Sequence, residues 1–79
     1  METEDKLLKR IIVDPKIMTG KPVIRGTRIP IELILRLLAQ GSTEKEILED
    51  YPHLVKEDIQ ATLMYAAKLA SREEVFPVA

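Results

Sequence analysis

Cysteine and tryptophan are missing from this chain, and histidine and phenylalanine occur once each. Without cysteine there is no disulfide framework, thiolate zinc site or cysteine nucleophile, a usage that suits a reducing, cytoplasmic setting. His53 is the lone imidazole, beside Pro52 in an expected turn, so no zinc site can be assembled from several imidazoles. Ser42 and Ser71 lack an oriented base and an oxyanion hole. Glu49-Asp50 and Glu57-Asp58 are adjacent pairs, and neighbours on a helix diverge by about 100°, so neither pair converges as an acid and base must. Gly20-Lys21-Pro22 lacks the spacing and the Ser/Thr of a phosphate-cradling loop. The parts of an enzyme are absent, and no cofactor or metal is expected. Long apolar runs are absent too: Leu63 to Ala67 ends at Lys68, far short of the roughly 20 residues that span a bilayer. Glu2, Glu4 and Asp5 give the first nine residues no likeness to a secretory leader.

What is present fits one small domain, 1–79. A chain this short buries a modest share of its surface and gains from pairing with a second copy, so a homodimer is expected. The net charge of −1 argues against a strongly basic coat, but it is unevenly spread. Residues 1–28 carry seven basic side chains against four acidic ones, and residues 29–79 carry five against nine. That asymmetry permits an anion-binding face at one end and a basic partner at the other.

Ile11-Ile12-Val13 and the stretch Pro22 to Pro30 read as short strands, with turns at Gly20-Lys21 and Gly26-Thr27. They make 6–29 a basic β-ribbon. The period then changes to that of a helix, 30–40, opened by Pro30 and closed by Gly41. Its apolar residues Ile31, Leu33, Ile34, Leu35, Leu37 and Leu38 fill an arc of about 200°, enough to touch two bodies, which nominates Leu33 and Leu37 for dimerisation. Thr43 and Glu46 have the spacing of a capping box and start a short second helix that Pro52 stops. A long third helix follows over 56–73, with Ile59, Leu63, Ala66 and Ala70 expected to face inward and Tyr65 and Leu69 at the margin. The apolar tail, 74–79, whose last five residues Val75 to Ala79 carry no charge, is either a frayed end or a docking peptide. The fold class is thus mainly α with a small N-terminal β-hairpin, and the three helices have the outline of a homeodomain-like helix-turn-helix core, 30–73.

In that outline the start of the third helix enters the major groove, where Lys56 and Gln60 could contact DNA but Glu57 and Asp58 would repel phosphates. The segment with Lys21, Arg25, Gly26, Thr27 and Arg28 is the better DNA surface: its cations could straddle phosphates and Gly26 would admit close backbone approach. Alternatively both arginines pair with the acidic helices of the same chain or of a second copy.

The run Val13-Asp-Pro-Lys-Ile-Met-Thr-Gly-Lys-Pro-Val-Ile-Arg-Gly-Thr-Arg-Ile-Pro30 closely resembles the signature of the domain-of-unknown-function family 433, as do Ile47-Leu-Glu-Asp-Tyr-Pro-His-Leu54 and Glu57-Asp58-Ile59. The resemblance covers about residues 11 to 70 and implies a homeodomain-like core in a VapB-type antitoxin, a dimer that neutralises a PIN-like ribonuclease toxin and acts as autorepressor on operator DNA. Under that reading Tyr65, Leu69, Val75, Phe76 and Val78 contact the toxin. An alternative is a protein-interaction module that keeps the helix-turn-helix as scaffold and never touches DNA. Val55-Lys56 stands where relatives carry Thr-Pro, so the third helix is expected to begin loosely or late for want of a hydroxyl cap.

Overall fold

Thr3 opens a helix that the sequence pattern did not announce. The computed structural model describes residues 3–72, and its first element is α1 (Glu4–Leu8). The Thr3 hydroxyl accepts a hydrogen bond from the Lys6 amide, and Glu4 and Asp5 complement the positive end of the helix dipole. Five residues cannot hold a helix in water unaided. α1 persists because Leu7 is buried in the core and because an ion pair joins Glu4 to Lys68. The expected ribbon over 6–29 is therefore corrected at its start, where residues 6–8 are helical.

The two strands, β1 (Ile11–Ile12) and β2 (Val23–Ile24), pair antiparallel with Ile11 opposite Ile24 and Ile12 opposite Val23. Residues 13–22 connect them through three successive positive-φ residues, Met18, Thr19 and Gly20. A second pairing lies across β2: Val23 bridges Pro30, and the Ile24 amide donates to the Ile29 carbonyl at 3.0 Å. Arg25-Gly26-Thr27-Arg28 thus forms a tight loop, with Gly26 at φ +80°, where a side-chain-bearing residue would be strained.

α2 (Ile31–Ala39) has Pro30 as its cap residue, one position earlier than expected. Its end is a Schellman motif: Gly41 at φ +97°, with the Ser42 amide donating to the Leu37 carbonyl and the Gly41 amide to that of Leu38. α3 (Glu44–Asp50) carries the complete capping box, Thr43 accepting from the Glu46 amide and Glu46 accepting from the Thr43 amide. α4 (Lys56–Arg72) is the long helix, starting on time at Lys56. Asp58 supplies the reciprocal half of a capping box, accepting the Val55 amide at 3.0 Å, and the helix does not begin late, which corrects that expectation from Val55.

The core gathers Leu7, Ile11, Ile24, Ile31, Ile34, Ile47, Leu54, Ile59 and Ala61, with Leu37, Leu38 and Tyr65 packed half-buried against it. The inward face of α4 is rotated from the expected stripe: Leu63 is 49% exposed and Ala70 exposed, whereas Asp58 is buried. Hydrophobicity alone misses Asp58, whose carboxylate is satisfied internally by Arg10 and the Val55 amide; Thr62, which flanks the expected stripe, is buried and donates to the Asp58 carbonyl at 2.9 Å. The architecture is mainly helical with a small two-stranded sheet near the N-terminus. No described helix is long and apolar enough to cross a membrane. The tail 74–79, with Val75, Phe76 and Val78, lies outside the described residues.

Candidate nucleic-acid interface and apolar groove

Arg25 of the loop 25–28 and Asp58 at the start of α4, two segments read from sequence as rival DNA surfaces, line one cleft. The Asp58 carboxylate is buried, with the residue only 6% exposed, and faces Arg10, whose Nη1 donates to Oδ1 at 3.3 Å while the Val55 amide donates to Oδ2. The charge that was expected to repel phosphate is turned inward and neutralised. Beside it stands Arg25, whose Nε donates to the Lys9 carbonyl at 2.7 Å and whose amide donates to the Arg10 carbonyl at 2.7 Å. A cleft of about 350 Å³ is lined by Lys6, Lys9, Arg10, Arg25 and Asp58.

The other sequence-nominated residues divide. Arg28 and Lys56 are exposed and Gln60 is half-buried, so all three can be reached from solvent. Thr27 turns its hydroxyl inward, donating to the Ile24 carbonyl at 2.7 Å and accepting from the Ile29 amide at 3.0 Å. Its role is to close the loop, since its one hydroxyl proton is already committed. Lys21 is occupied as well: its Nζ donates to Glu32 Oε1 at 2.6 Å, and that ion pair, with Arg36 on the following turn, holds the Glu32 carboxyl below its ordinary range. Lys21 is thus the residue for which pairing with an acidic helix holds, whereas Arg25 bonds to a backbone carbonyl. Lys6, Lys9 and Arg10 were not singled out from the sequence. Their signal was the excess of cations before residue 29; their meeting place depends on Asp58, 48 positions away from Arg10.

A second concavity, about 260 Å³, is an apolar groove lined by Pro22, Ile31, Leu35, Tyr65 and Leu69, with Lys21 and Glu32 at its rim. Tyr65 and Leu69, nominated for toxin contact, lie together there, and Leu69 is 46% exposed. The two nominated dimer residues separate. Leu37 packs half-buried on the core of its own chain, while Leu33 is half-buried outside that core beside Pro30 and Arg36.

Comparison with known proteins gives relatives for this arrangement. A crystal structure of a DUF433 member protein from Anabaena variabilis superposes with a TM-score of 0.76 at 32% identity, over 86% of this chain and 67% of that one. An uncharacterized protein, y4eO of Sinorhizobium fredii, is 38% identical over 64 residues, which is 78% of this chain; the chain spans only 29% of that relative's length. An uncharacterized protein of Archaeoglobus fulgidus is 53% identical over 30 residues, covering 38% of this chain and 83% of its own. The family model described as protein of unknown function (DUF433) matches residues 11–66, the strands, the loop and the first three turns of α4, and on that match the chain belongs to the DUF433 family.

Proposed function

We propose that this chain is the antitoxin of a toxin-antitoxin pair: a cytoplasmic, non-enzymatic homodimer that binds operator DNA with one surface and a PIN-like ribonuclease toxin with another. The observation that carries the DNA half is the inward turn of Asp58 onto Arg10 and the Val55 amide. It takes one of the two acidic side chains of the first turn of α4 away from an approaching phosphate, while Lys56 and Gln60 there and Arg25 and Arg28 in the loop stay accessible to solvent. Glu57, half-buried, is the one acidic side chain of the first turn still on this approach. The toxin half is supported by the groove with Tyr65 and Leu69, whose apolar walls suit a partner's aliphatic or aromatic side chain. Dimerisation through Leu33 extends the apolar surface of α2 beyond the core.

The test is fluorescence anisotropy of the full chain on the DNA upstream of its own gene against scrambled DNA, across a salt series. Specific binding whose log affinity falls steeply with log salt is expected, because lysines and arginines release counterions at phosphates. Arg25→Ala and Arg28→Ala should each weaken binding about tenfold, equivalent to about 1.4 kcal/mol. No binding to either DNA, with and without the neighbouring gene's product, would overturn the DNA half and favour the second reading, a partner-binding module that uses the helix-turn-helix outline only as scaffold.

A further inference from the structure

We infer that the cleft lined by Lys6, Lys9, Arg10 and Arg25 is a phosphate-binding site, built where the N-terminal segment packs against the loop 25–28 and α4. Three of the four cations, Lys6, Lys9 and Arg10, precede the family-matched span, which begins at residue 11, and Arg25 falls inside it. The N-terminal segment is held firmly. Glu4 pairs with Lys68 near one end of α4 and Arg10 with Asp58 near the other, which lays the N-terminal segment antiparallel along α4. Leu7 anchors it from below.

Two of the cations are oriented before any ligand arrives. Arg25 is fixed through Nε to the Lys9 carbonyl, and Arg10 through Nη1 to Asp58. Lys6 and Lys9 are exposed beside them. Four like charges gathered in one cleft repel each other, and among the described residues Asp58 is the carboxylate that lines it, paired with Arg10. The charge offered to a ligand is therefore that of Lys6, Lys9 and Arg25. A phosphate group would relieve their repulsion by accepting from the preset Arg25 guanidinium and two exposed ammonium groups. The ligand chemistry is a phosphate oxyanion, and the cleft rests on the nucleic-acid reading above only for the source of that phosphate.

The experiment compares the full chain with the Lys6→Gln/Lys9→Gln double variant, both positions being exposed, and with Lys16→Gln, an exposed lysine outside the cleft, as control. In the DNA salt series the double variant should lower the slope of log affinity against log salt by about 1.8, the contribution of two phosphate contacts, while the control keeps the slope of the parent. A parallel nuclear magnetic resonance titration with tripolyphosphate should shift the amide signals of Lys9, Arg10 and Arg25 in the parent and not in the double variant. If the parent binds DNA and the double variant matches it in slope and in tripolyphosphate response, the cleft is overturned and the DNA reading stands. If the parent ignores DNA but tripolyphosphate shifts those amides in a Lys6- and Lys9-dependent way, the cleft stands with free polyphosphate as its source. Silence in both arms overturns both.

Discussion

Asp58 organises the site because one residue answers three local demands, two through its side chain and one through its backbone. One carboxylate oxygen receives the Val55 amide that begins α4, the other receives Arg10, and the Asp58 carbonyl receives the Thr62 hydroxyl. A buried carboxylate is tolerated only when its oxygens are supplied with donors in this way. Asp58→Ala should therefore cost about 2 kcal/mol, the range for losing hydrogen bonds to a charged group, read as a lower urea midpoint at unchanged slope. Asp58→Asn keeps an acceptor for the Val55 amide and should cost less. Arg10→Ala and Asp58→Ala should be non-additive, the double variant being less destabilised than the sum of the singles, because each single change already breaks their shared ion pair. Strict additivity in a double-mutant cycle would show that the two groups do not act together.

At the scale of elements, helix boundaries follow from caps, and the caps differ in completeness. α3 has both halves of its box, and the hydrogen bonds from the Thr43 amide and hydroxyl environment hold the Glu46 carboxyl below its ordinary value. Glu32 is lowered in the same direction by Lys21 and then Arg36. A carboxylate depressed in the folded chain stabilises it fully above its unfolded value of 4.5, and that contribution disappears as pH falls through the lower folded value. The urea midpoint should accordingly drop as pH is lowered below 4.5, and Thr43→Ala should flatten the share owed to Glu46 while costing about 1 kcal/mol at neutral pH. α4 has only the Asp58 half of a box, with Val55 46% exposed at the cap. Val55→Thr supplies the missing hydroxyl and should raise stability by about 1 kcal/mol, measured by the same denaturant titration. These caps explain what was readable in the chain beforehand. Thr43-x-x-Glu46, Pro30 and Gly41 are short-range signals whose physics is local, so the bounds of α2 and α3 could be read directly. The full inward face of α4 could not, since Asp58 is a charged residue buried against Arg10, a partner that only the folded chain brings near. α1 escaped for a related reason: five residues with a threonine cap give little periodicity, and the helix exists through Leu7 and the Glu4–Lys68 pair.

For the whole molecule, the two surfaces proposed for recognition lie apart. The cationic cleft draws on Lys6, Lys9, Arg10, Arg25 and Asp58, and the apolar groove on Pro22, Ile31, Leu35, Tyr65 and Leu69; among the described residues none lines both. A phosphate-binding surface and a partner-binding surface that share no side chain can be disabled independently. Leu69 is the natural place to divide them, being half-exposed on α4 and outside the core, so a charge there meets water in the free chain and an apolar partner in the complex. Burying an unpaired carboxylate at such a contact is strongly unfavourable. Leu69→Asp should lower affinity for the product of the neighbouring gene at least tenfold, about 1.4 kcal/mol, while leaving DNA affinity within twofold of the parent. Lys6→Gln/Lys9→Gln should give the reverse pattern, weak on DNA and unchanged toward the protein partner. Titrating both variants against both ligands checks the division in one set of isotherms. Undiminished partner affinity in Leu69→Asp would remove the groove from the proposal. A variant that loses both affinities without losing its fold would mean that DNA and partner contend for one surface, and repression would then respond to partner concentration by competition instead of by joint occupancy.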